Sequence, residues 1–189
     1  ARKAAAFESE DARRVRAVRT WGVMAELRIA QLTWRVLDDE VRALAAVNEA
    51  MQRWPDAPSE LKTWAMSLRV NILLDQGKVN EAAEPLLDLL RQGYPGAIEL
   101  AVEAVDQTRQ RVEDLTHQPE EKAAAELARA RKQYIALAEA LYAWAEGNLQ
   151  GEKLLPFKQA LAGAYEGGNA EQVRTALSLY QELQKAEEG

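Results

Sequence analysis

Apolar residues recur every three or four positions along most of the chain, and glycine, proline and polar turn residues interrupt this pattern repeatedly. Such spacing places apolar side chains on one face of a helix, so the pattern predicts about eight α-helices and no strand. The longest stripe lies near the N terminus and comprises Val15, Val18, Trp21, Ala25, Ile29, Leu32 and Val36. Gly22 lies inside this helix, where it costs about 1 kcal/mol relative to alanine and permits a bend.

Short polar residues and glycines mark the predicted ends of these helices. The predicted N-caps, which accept hydrogen bonds from the free N–H groups of a first turn, are Ser9, Asp38, Ser59 and Asn80. Gly77 and Gly93 are predicted to end helices, and Gly77 is predicted to do so in the left-handed conformation. Pro95 is predicted to start the fifth helix. Pro85 either bends the first turn of the fourth helix or marks a later start of that helix.

Loops of about three to six residues separate the predicted helices, which favours antiparallel packing of neighbours. The predicted fold is therefore all-α, with about eight antiparallel helices arranged as stacked hairpins. We expect one domain, residues 1–189, with hairpins at about 9–54, 59–92, 95–146 and 153–186. In the second helix the predicted inward face comprises Val41, Leu44, Ala45, Met51 and Trp54.

Two segments repeat the order of helix end, tight turn and helix start. "GKVNEAAEPLLDLL" (77–90) aligns with "GNAEQVRTALSLYQELQ" (168–184), so that Gly77 matches Gly168 and Leu86 matches Leu177. A third segment, 38–55, lacks the glycine but places small residues before Pro55. Small residues allow the two helices of a hairpin to approach closely.

This arrangement resembles the tetratricopeptide repeat family, a helical-hairpin α-solenoid. When Pro55 is aligned with the terminal proline of the motif, the signature positions are occupied by Leu27, Trp34, Ala43, Val47 and Ala50. The resemblance covers about half of the chain. The second and third copies are 91 residues apart, which is not a multiple of 34, and the predicted helix at 120–146 is too long for the motif. A helical bundle without repeats is the alternative.

The composition removes most catalytic and metal chemistry. The chain has no cysteine and one histidine, His117, which is predicted to be a solvated turn residue beside Pro119. Neither a Ser–His–Asp triad nor a histidine zinc site fits this inventory, and no glycine-rich phosphate-binding motif occurs. We expect no catalytic residue, no metal and no cofactor.

The net charge of −6 argues against a dominant nucleic-acid or membrane surface, and no apolar run approaches the ~20 residues that a membrane span requires. The chain begins "ARK" without methionine, which we interpret as a processed or truncated product. A soluble protein is expected, cytoplasmic or, if a signal was removed, periplasmic or extracellular.

The family resemblance implies a non-catalytic scaffold or adaptor that binds a peptide or partner helix on a concave face. In that family the first helix of each hairpin lines the face. The matching outward positions are Arg28, Leu32, Arg35, Ser67, Asn71 and Asp75. The lysines of the carboxylate-clamp subtype are missing, so binding of a free C terminus is not implied. Among the tryptophans, Trp34 and Trp64 are expected in the core, and Trp21 and Trp144 beside a groove.

Two other functions are open. The chain can be a structural or homo-oligomerising segment, because the apolar residues of the 120–146 helix, including Tyr134, Leu141 and Trp144, occupy more than one face. Arg13, Arg16 and Arg19 form a basic stripe at helical spacing, which suits an acidic partner or a phosphate backbone. The alternative for this stripe is the solvated face of a long helix, and no nucleic-acid partner is expected.

Overall fold

A computed structural model describes residues 10–118 and 120–187, which contain eight α-helices and no strand. The predicted all-α class is therefore confirmed. The helices are α1 (Glu10–Arg35), α2 (Glu40–Arg53), α3 (Ser59–Asp75), α4 (Val79–Arg91), α5 (Ala97–Thr116), α6 (Glu120–Asn148), α7 (Leu155–Tyr165) and α8 (Ala170–Glu187). A short 3₁₀ turn, Gly151–Leu154, precedes α7.

The chain divides into two compact units, Ala1–Gln76 and Gly77–Gly189, called unit 1 and unit 2 below. In unit 1, α2 packs against both α1 and α3, and α1 also contacts α3. In unit 2, each helix from α4 to α8 packs against the next one along the chain. This packing of sequence neighbours agrees with the short loops. The predicted hairpin at 59–92 has one helix in each unit, and a single domain over 1–189 stays a prediction.

The core of unit 1 consists of aliphatic and alanine side chains from all three helices, together with Trp34. Its buried members are Val23, Leu27, Ala30, Trp34, Ala43, Val47, Ala50, Ala65, Leu68 and Ile72. The alanines let the helix axes approach closely, as the hairpin pattern predicts. The five residues matched to the repeat signature all belong to this core. Val41, predicted to face inward, is instead 74% exposed. It lies two residues before Ala43, which places it on the opposite side of α2.

In unit 2 the largest fully buried side chains are Phe157, Leu86, Leu89 and Leu141. Helix α6 packs against both α5 and α7 and buries Tyr134, Leu137 and Leu141. The ring of Trp144 meets Phe157 edge-on, with 6.2 Å between centroids. The apolar residues on more than one face of α6 are thus accounted for by neighbours inside unit 2.

Glycines end helices as the sequence predicts. Gly77 and Gly93 have φ angles of +66° and +64°, in the left-handed region. After α4, the N–H of Gly93 donates to Leu90 O and the N–H of Tyr94 donates to Leu89 O, both at 3.0 Å, which is a Schellman motif. Gly168 is not left-handed, so the two aligned glycine turns share their order along the chain but differ in backbone conformation.

Several predicted helix starts are wrong by one or two residues. Asp39, not Asp38, caps α2, and its carboxylate accepts from the N–H of Arg42 at 2.9 Å. Ser59 is the first residue of α3 rather than its cap. Helix α5 begins at Ala97 rather than at Pro95, after a left-handed Gly96. The predicted cap Ser9 lies outside the described residues.

The structure also shows where the predicted cap Asn80 and Pro85 lie in the fourth helix. Helix α4 begins at Val79, so Asn80 lies inside it and Pro85 is its seventh residue. The helix therefore does not start close to the proline. Because Pro85 has no N–H, the carbonyl of Glu81 lacks its usual intrahelical donor.

Candidate protein-binding surface

Helix α1 carries two apolar faces, and only one of them belongs to the core. Val23, Leu27, Ala30 and Trp34 are 0–5% exposed and pack against α2 and α3. The apolar stripe that was identified from the sequence, from Val15 to Val36, lies on nearly the opposite side of the helix. Both sets of apolar residues have helical spacing. The core contains the shorter set and not the longer stripe that was identified from the sequence.

The apolar stripe of α1 is exposed along its length. Its large members, at 50–70% exposure, are Val15, Val18, Trp21, Ile29, Leu32 and Val36. From Val15 to Leu32 the stripe extends about 26 Å along the helix, at 1.5 Å per residue, and Val36 follows directly after the last residue of α1. Single exposed apolar residues are ordinary on protein surfaces, whereas contiguous exposed apolar rows are typical of interaction sites, so this stripe is the candidate binding surface.

The stripe lies on a basic helix in an acidic protein. Helix α1 has six arginines and three acidic residues, which give it a net charge of +3, whereas the whole chain carries −6. Arg28 precedes Leu32 by four residues and Arg35 follows it by three, so both arginines are neighbours of Leu32 on the helix surface. The apolar stripe therefore has two arginines along one of its sides.

Two of the predicted binding residues, Arg35 and Asp75, meet at Trp34. The Arg35 guanidinium carbon lies 3.6 Å from the centroid of the Trp34 ring, a cation–π contact. The indole Nε1 of Trp34 donates a 2.6 Å hydrogen bond to Asp75 Oδ2 on α3. These contacts join the C-terminal ends of α1 and α3, so a residue buried in the core of unit 1 holds both charged groups in place.

The other four predicted binding residues differ in accessibility. Leu32 and Arg28 are exposed, and Arg28 Nη1 donates to Gln31 Oε1 at 2.6 Å. Ser67 is buried, and Asn71 Nδ2 donates to its carbonyl oxygen at 2.8 Å within α3. The structure therefore places Arg28, Leu32, Arg35 and Asp75 on the surface of unit 1, whereas the Ser67 side chain is buried and Asn71 is half-buried.

The three arginines of the predicted basic patch, Arg13, Arg16 and Arg19, are all exposed. Two of them, Arg16 and Arg19, line a cavity of about 770 Å³ in unit 1, together with Val15 of the stripe. The indole of Trp54 also lines this cavity, and its Nε1 is buried without a hydrogen-bond partner among the described residues. The sequence did not indicate that Trp54 and these arginines would share one cavity.

Neither a metal centre nor a membrane-spanning helix is found in the described part of the chain. Over residues 10–118 and 120–187, no group of three or more histidine, cysteine, aspartate or glutamate side chains is arranged to hold a metal ion. No described helix is both long and apolar enough to cross a membrane. His117 is an exposed turn residue whose Nδ1 lies 2.7 Å from Glu113 O.

No protein-family model, curated protein sequence or solved structure matches this chain.

Proposed function

We propose that this protein is a non-catalytic interaction module that binds an amphipathic helix of a partner protein along the exposed stripe of α1. The observation that carries this proposal is the row of large apolar side chains, five on α1 and Val36 directly after it, on a helix whose opposite face is already packed. An amphipathic helix bound to such a surface is a common mode of peptide recognition. The proposal keeps Arg28, Leu32 and Arg35 as contacts and adds the rest of the stripe to them.

The stripe offers enough apolar surface for specific binding. Full burial of an aliphatic side chain contributes about 1.5–3 kcal/mol, so covering the exposed parts of six side chains contributes on the order of 6 kcal/mol. Losses of translational and side-chain freedom on association oppose this gain. Charge pairing at the flanks then has to supply specificity as well as part of the affinity.

Charge complementarity selects the partner. A second copy of α1 would bring a helix of net charge +3 against another of the same sign. A partner helix with glutamate or aspartate beside its apolar face pairs instead with Arg19, Arg28 and Arg35. We therefore assign the surface to an acidic amphipathic helix rather than to a second copy of this chain.

Two synthetic peptides test the proposal directly. Each has about 21 residues with leucines at helical spacing, flanked by glutamates in one peptide and by lysines in the other. We expect fluorescence anisotropy to show saturable binding of the glutamate peptide, at least tenfold weaker binding of the lysine peptide, and loss of affinity as salt screens the charges. Val18→Glu and Ile29→Glu should abolish binding. Gln52→Glu, which adds the same charge at an exposed position of α2, should not.

Three outcomes would count against the proposal. Failure of both peptides to bind would remove the stripe as a helix-binding surface. Equal affinity for both peptides would remove the electrostatic selection. A dimer in light scattering that Val18→Glu converts to a monomer would assign the stripe to self-association. Circular dichroism should be unchanged in all variants, because Val18, Ile29 and Gln52 are exposed.

Self-association through α6 was suggested by apolar residues on more than one face of this helix, but helices of the same chain cover those faces. Leu141, the natural position for a disrupting charge, is fully buried, and none of the large apolar residues of α6 is exposed. A charge at Leu141 would unfold unit 2 rather than separate two copies. If the protein does form homo-oligomers, the stripe of α1 is the better candidate for the interface.

A further inference from the structure

A second surface feature lies in unit 2 and is independent of the proposed function. A cavity of about 490 Å³ lies between α5, α6 and α7, and α8 contributes Tyr180 to its lining. This volume falls in the range of small-molecule sites. Its apolar lining includes Val105, Ile135 and Phe157.

Tyr134 brings an unpartnered hydroxyl group to this cavity. Its side chain is 4% exposed, and its Oη has no hydrogen-bond partner among the described residues. Burial raises the pKa of Tyr134 to about 12, so the hydroxyl is protonated at neutral pH and can donate. A β-carbon at Gly163 would lie 3.1 Å from this Oη, so the hydroxyl lies close against the glycine, where a larger residue would crowd it. A buried hydroxyl without a partner calls for a ligand or an ordered water.

Arg131 lies one turn before Tyr134 on α6 and lines the same cavity. It is exposed and has no ion-pair or hydrogen-bond partner among the described residues. Its guanidinium carbon lies 3.7 Å from the position of a β-carbon at Gly167. Arg131 and Tyr134 are three residues apart on α6, so their side chains lie on the same face of that helix, beside Gly167 and Gly163 respectively.

The remaining polar side chains of the cavity, apart from the exposed Gln159, are paired within the protein. Arg109 bonds to Asp106 and Glu113 at 3.3 and 3.1 Å. Glu166 accepts a hydrogen bond from the Tyr180 hydroxyl. Tyr134 and Arg131 are thus the lining groups whose donors have no acceptor within the protein, and a ligand that contacts both has to supply acceptors. Because the lining contains three carboxylates and two guanidinium groups, a doubly charged anion is disfavoured.

We propose that this cavity binds a small organic monocarboxylate, whose carboxylate accepts hydrogen bonds from Tyr134 and Arg131 and whose apolar body contacts Val105, Ile135 and Phe157. A carboxylate oxygen satisfies the buried hydroxyl, and the second oxygen reaches the guanidinium one helical turn away. The apolar lining then favours a chain of several methylene groups over acetate.

Hexanoate and its neutral analogue 1-hexanol are suitable probes for the full chain. We expect saturable hexanoate binding in ¹H–¹⁵N NMR titrations, with the shift changes centred on Gly163 and Gly167, and at least tenfold weaker binding of 1-hexanol. Tyr134→Phe and Arg131→Gln should each lower the hexanoate affinity about tenfold, because each removes one hydrogen bond to a charged group. Tyr142→Phe and Arg129→Gln change the same residue types on α6 outside this cavity and should have no effect.

Gly163→Ala provides a second variant that keeps every polar group. The added methyl group would crowd the Tyr134 hydroxyl, and we expect weaker hexanoate binding without loss of helix. The proposal is overturned if hexanoate shows no saturable binding, which would leave water as the partner of Tyr134. It is also overturned if 1-hexanol or inorganic phosphate binds as tightly as hexanoate, or if the Tyr134 and Arg131 variants bind like their controls.

Discussion

The indole of Trp54 occupies the space in which a side chain at Gly22 would begin: a β-carbon at position 22 would lie 3.1 Å from Cζ2 of Trp54. The sequence pattern indicated only a weak point in α1 at this glycine. The structure supplies a packing reason, because the residue that follows α2 lies directly against α1 there. A glycine that costs helix stability thus permits a close contact between two helices of unit 1.

This contact predicts that the effect of Gly22→Ala depends on Trp54. With Trp54 present, the methyl group crowds the indole, and we expect no gain in the free energy of unfolding. With Trp54→Ala, the same substitution should stabilise by about 1 kcal/mol, the ordinary helix-propensity difference. Urea denaturation of the two single variants and the double variant measures this coupling. Equal effects of Gly22→Ala in both backgrounds would show that the contact has no energetic consequence.

The two faces of α1 predict opposite results for two leucines on one helix. Leu27 is fully buried, so Leu27→Ala should lower the free energy of unfolding by about 2–5 kcal/mol. Leu32 is half exposed on the stripe, and Leu32→Ala should change it by less than about 0.5 kcal/mol. Urea denaturation compares them directly. Similar losses at both positions would mean that the stripe is covered in solution.

The difference between these faces explains what the sequence could and could not predict. Helix number, type and approximate ends follow from local rules, since spacing, glycine and proline act within a few residues. The choice of core face on α1 does not, because Val23, Leu27, Ala30 and Trp34 are spaced as regularly as the stripe. The repeat alignment did indicate the core face, because it placed Leu27 and Trp34 in packing positions that the stripe does not include.

The two cavities could not be predicted from the sequence, because contacts between different helices bring their lining residues together. Arg131 and Tyr134 are neighbours on one helix, but Gly163 and Phe157 join them only through the packing of α6 against α7. Likewise, Trp54 reaches Arg16 and Arg19 only through the α1–α2 contact. Such contacts depend on helix register, which a single sequence does not specify.

The hydrogen bond between Trp34 and Asp75 predicts a stability effect at an exposed carboxylate. Asp75→Ala leaves the buried indole N–H without an acceptor and should cost about 1–3 kcal/mol. Asp75→Asn keeps an acceptor oxygen and should cost less. Glu49→Ala, at an exposed carboxylate of α2 without a hydrogen bond to a buried group, is the control for urea denaturation. An Asp75→Ala variant as stable as this control would remove the structural role of the bond.

Alanine substitution of two asparagines near helix starts should change the stability by different amounts. Asn169 Oδ1 accepts from the N–H groups of Glu171 and Gln172, both at 3.0 Å, and Gln172 Oε1 accepts from Asn169 N, which makes a capping box. Asn169→Ala should therefore cost about 1 kcal/mol. Asn80 lies inside α4, where no side-chain cap is formed, so Asn80→Ala should be neutral or slightly stabilising. Thermal denaturation of the two variants distinguishes these roles, and equal losses would contradict the assigned caps.

The raised pKa values of three tyrosines predict that the protein loses stability at high pH. Burial raises the pKa of Tyr134 to about 12. The pKa values of Tyr165 and Tyr180 are also raised to about 12, mainly by burial and further by their hydrogen bonds to Glu139 and Glu166. In the unfolded chain these hydroxyl groups ionise near pH 10. Between about pH 10 and 12 the unfolded chain has therefore released protons that the folded chain retains.

The sign of the effect follows from this proton difference. The stabilisation is complete below about pH 10, and the free energy of unfolding falls as the pH rises towards 12. Urea denaturation at pH 8 to 12 should show this decline, with a shallower slope in Tyr134→Phe. An ultraviolet titration should detect tyrosinate near pH 10 in urea but only at higher pH in the folded protein. If Tyr134→Phe leaves the slope unchanged, Tyr134 is not held in its protonated form by the fold, and its hydroxyl is in contact with solvent.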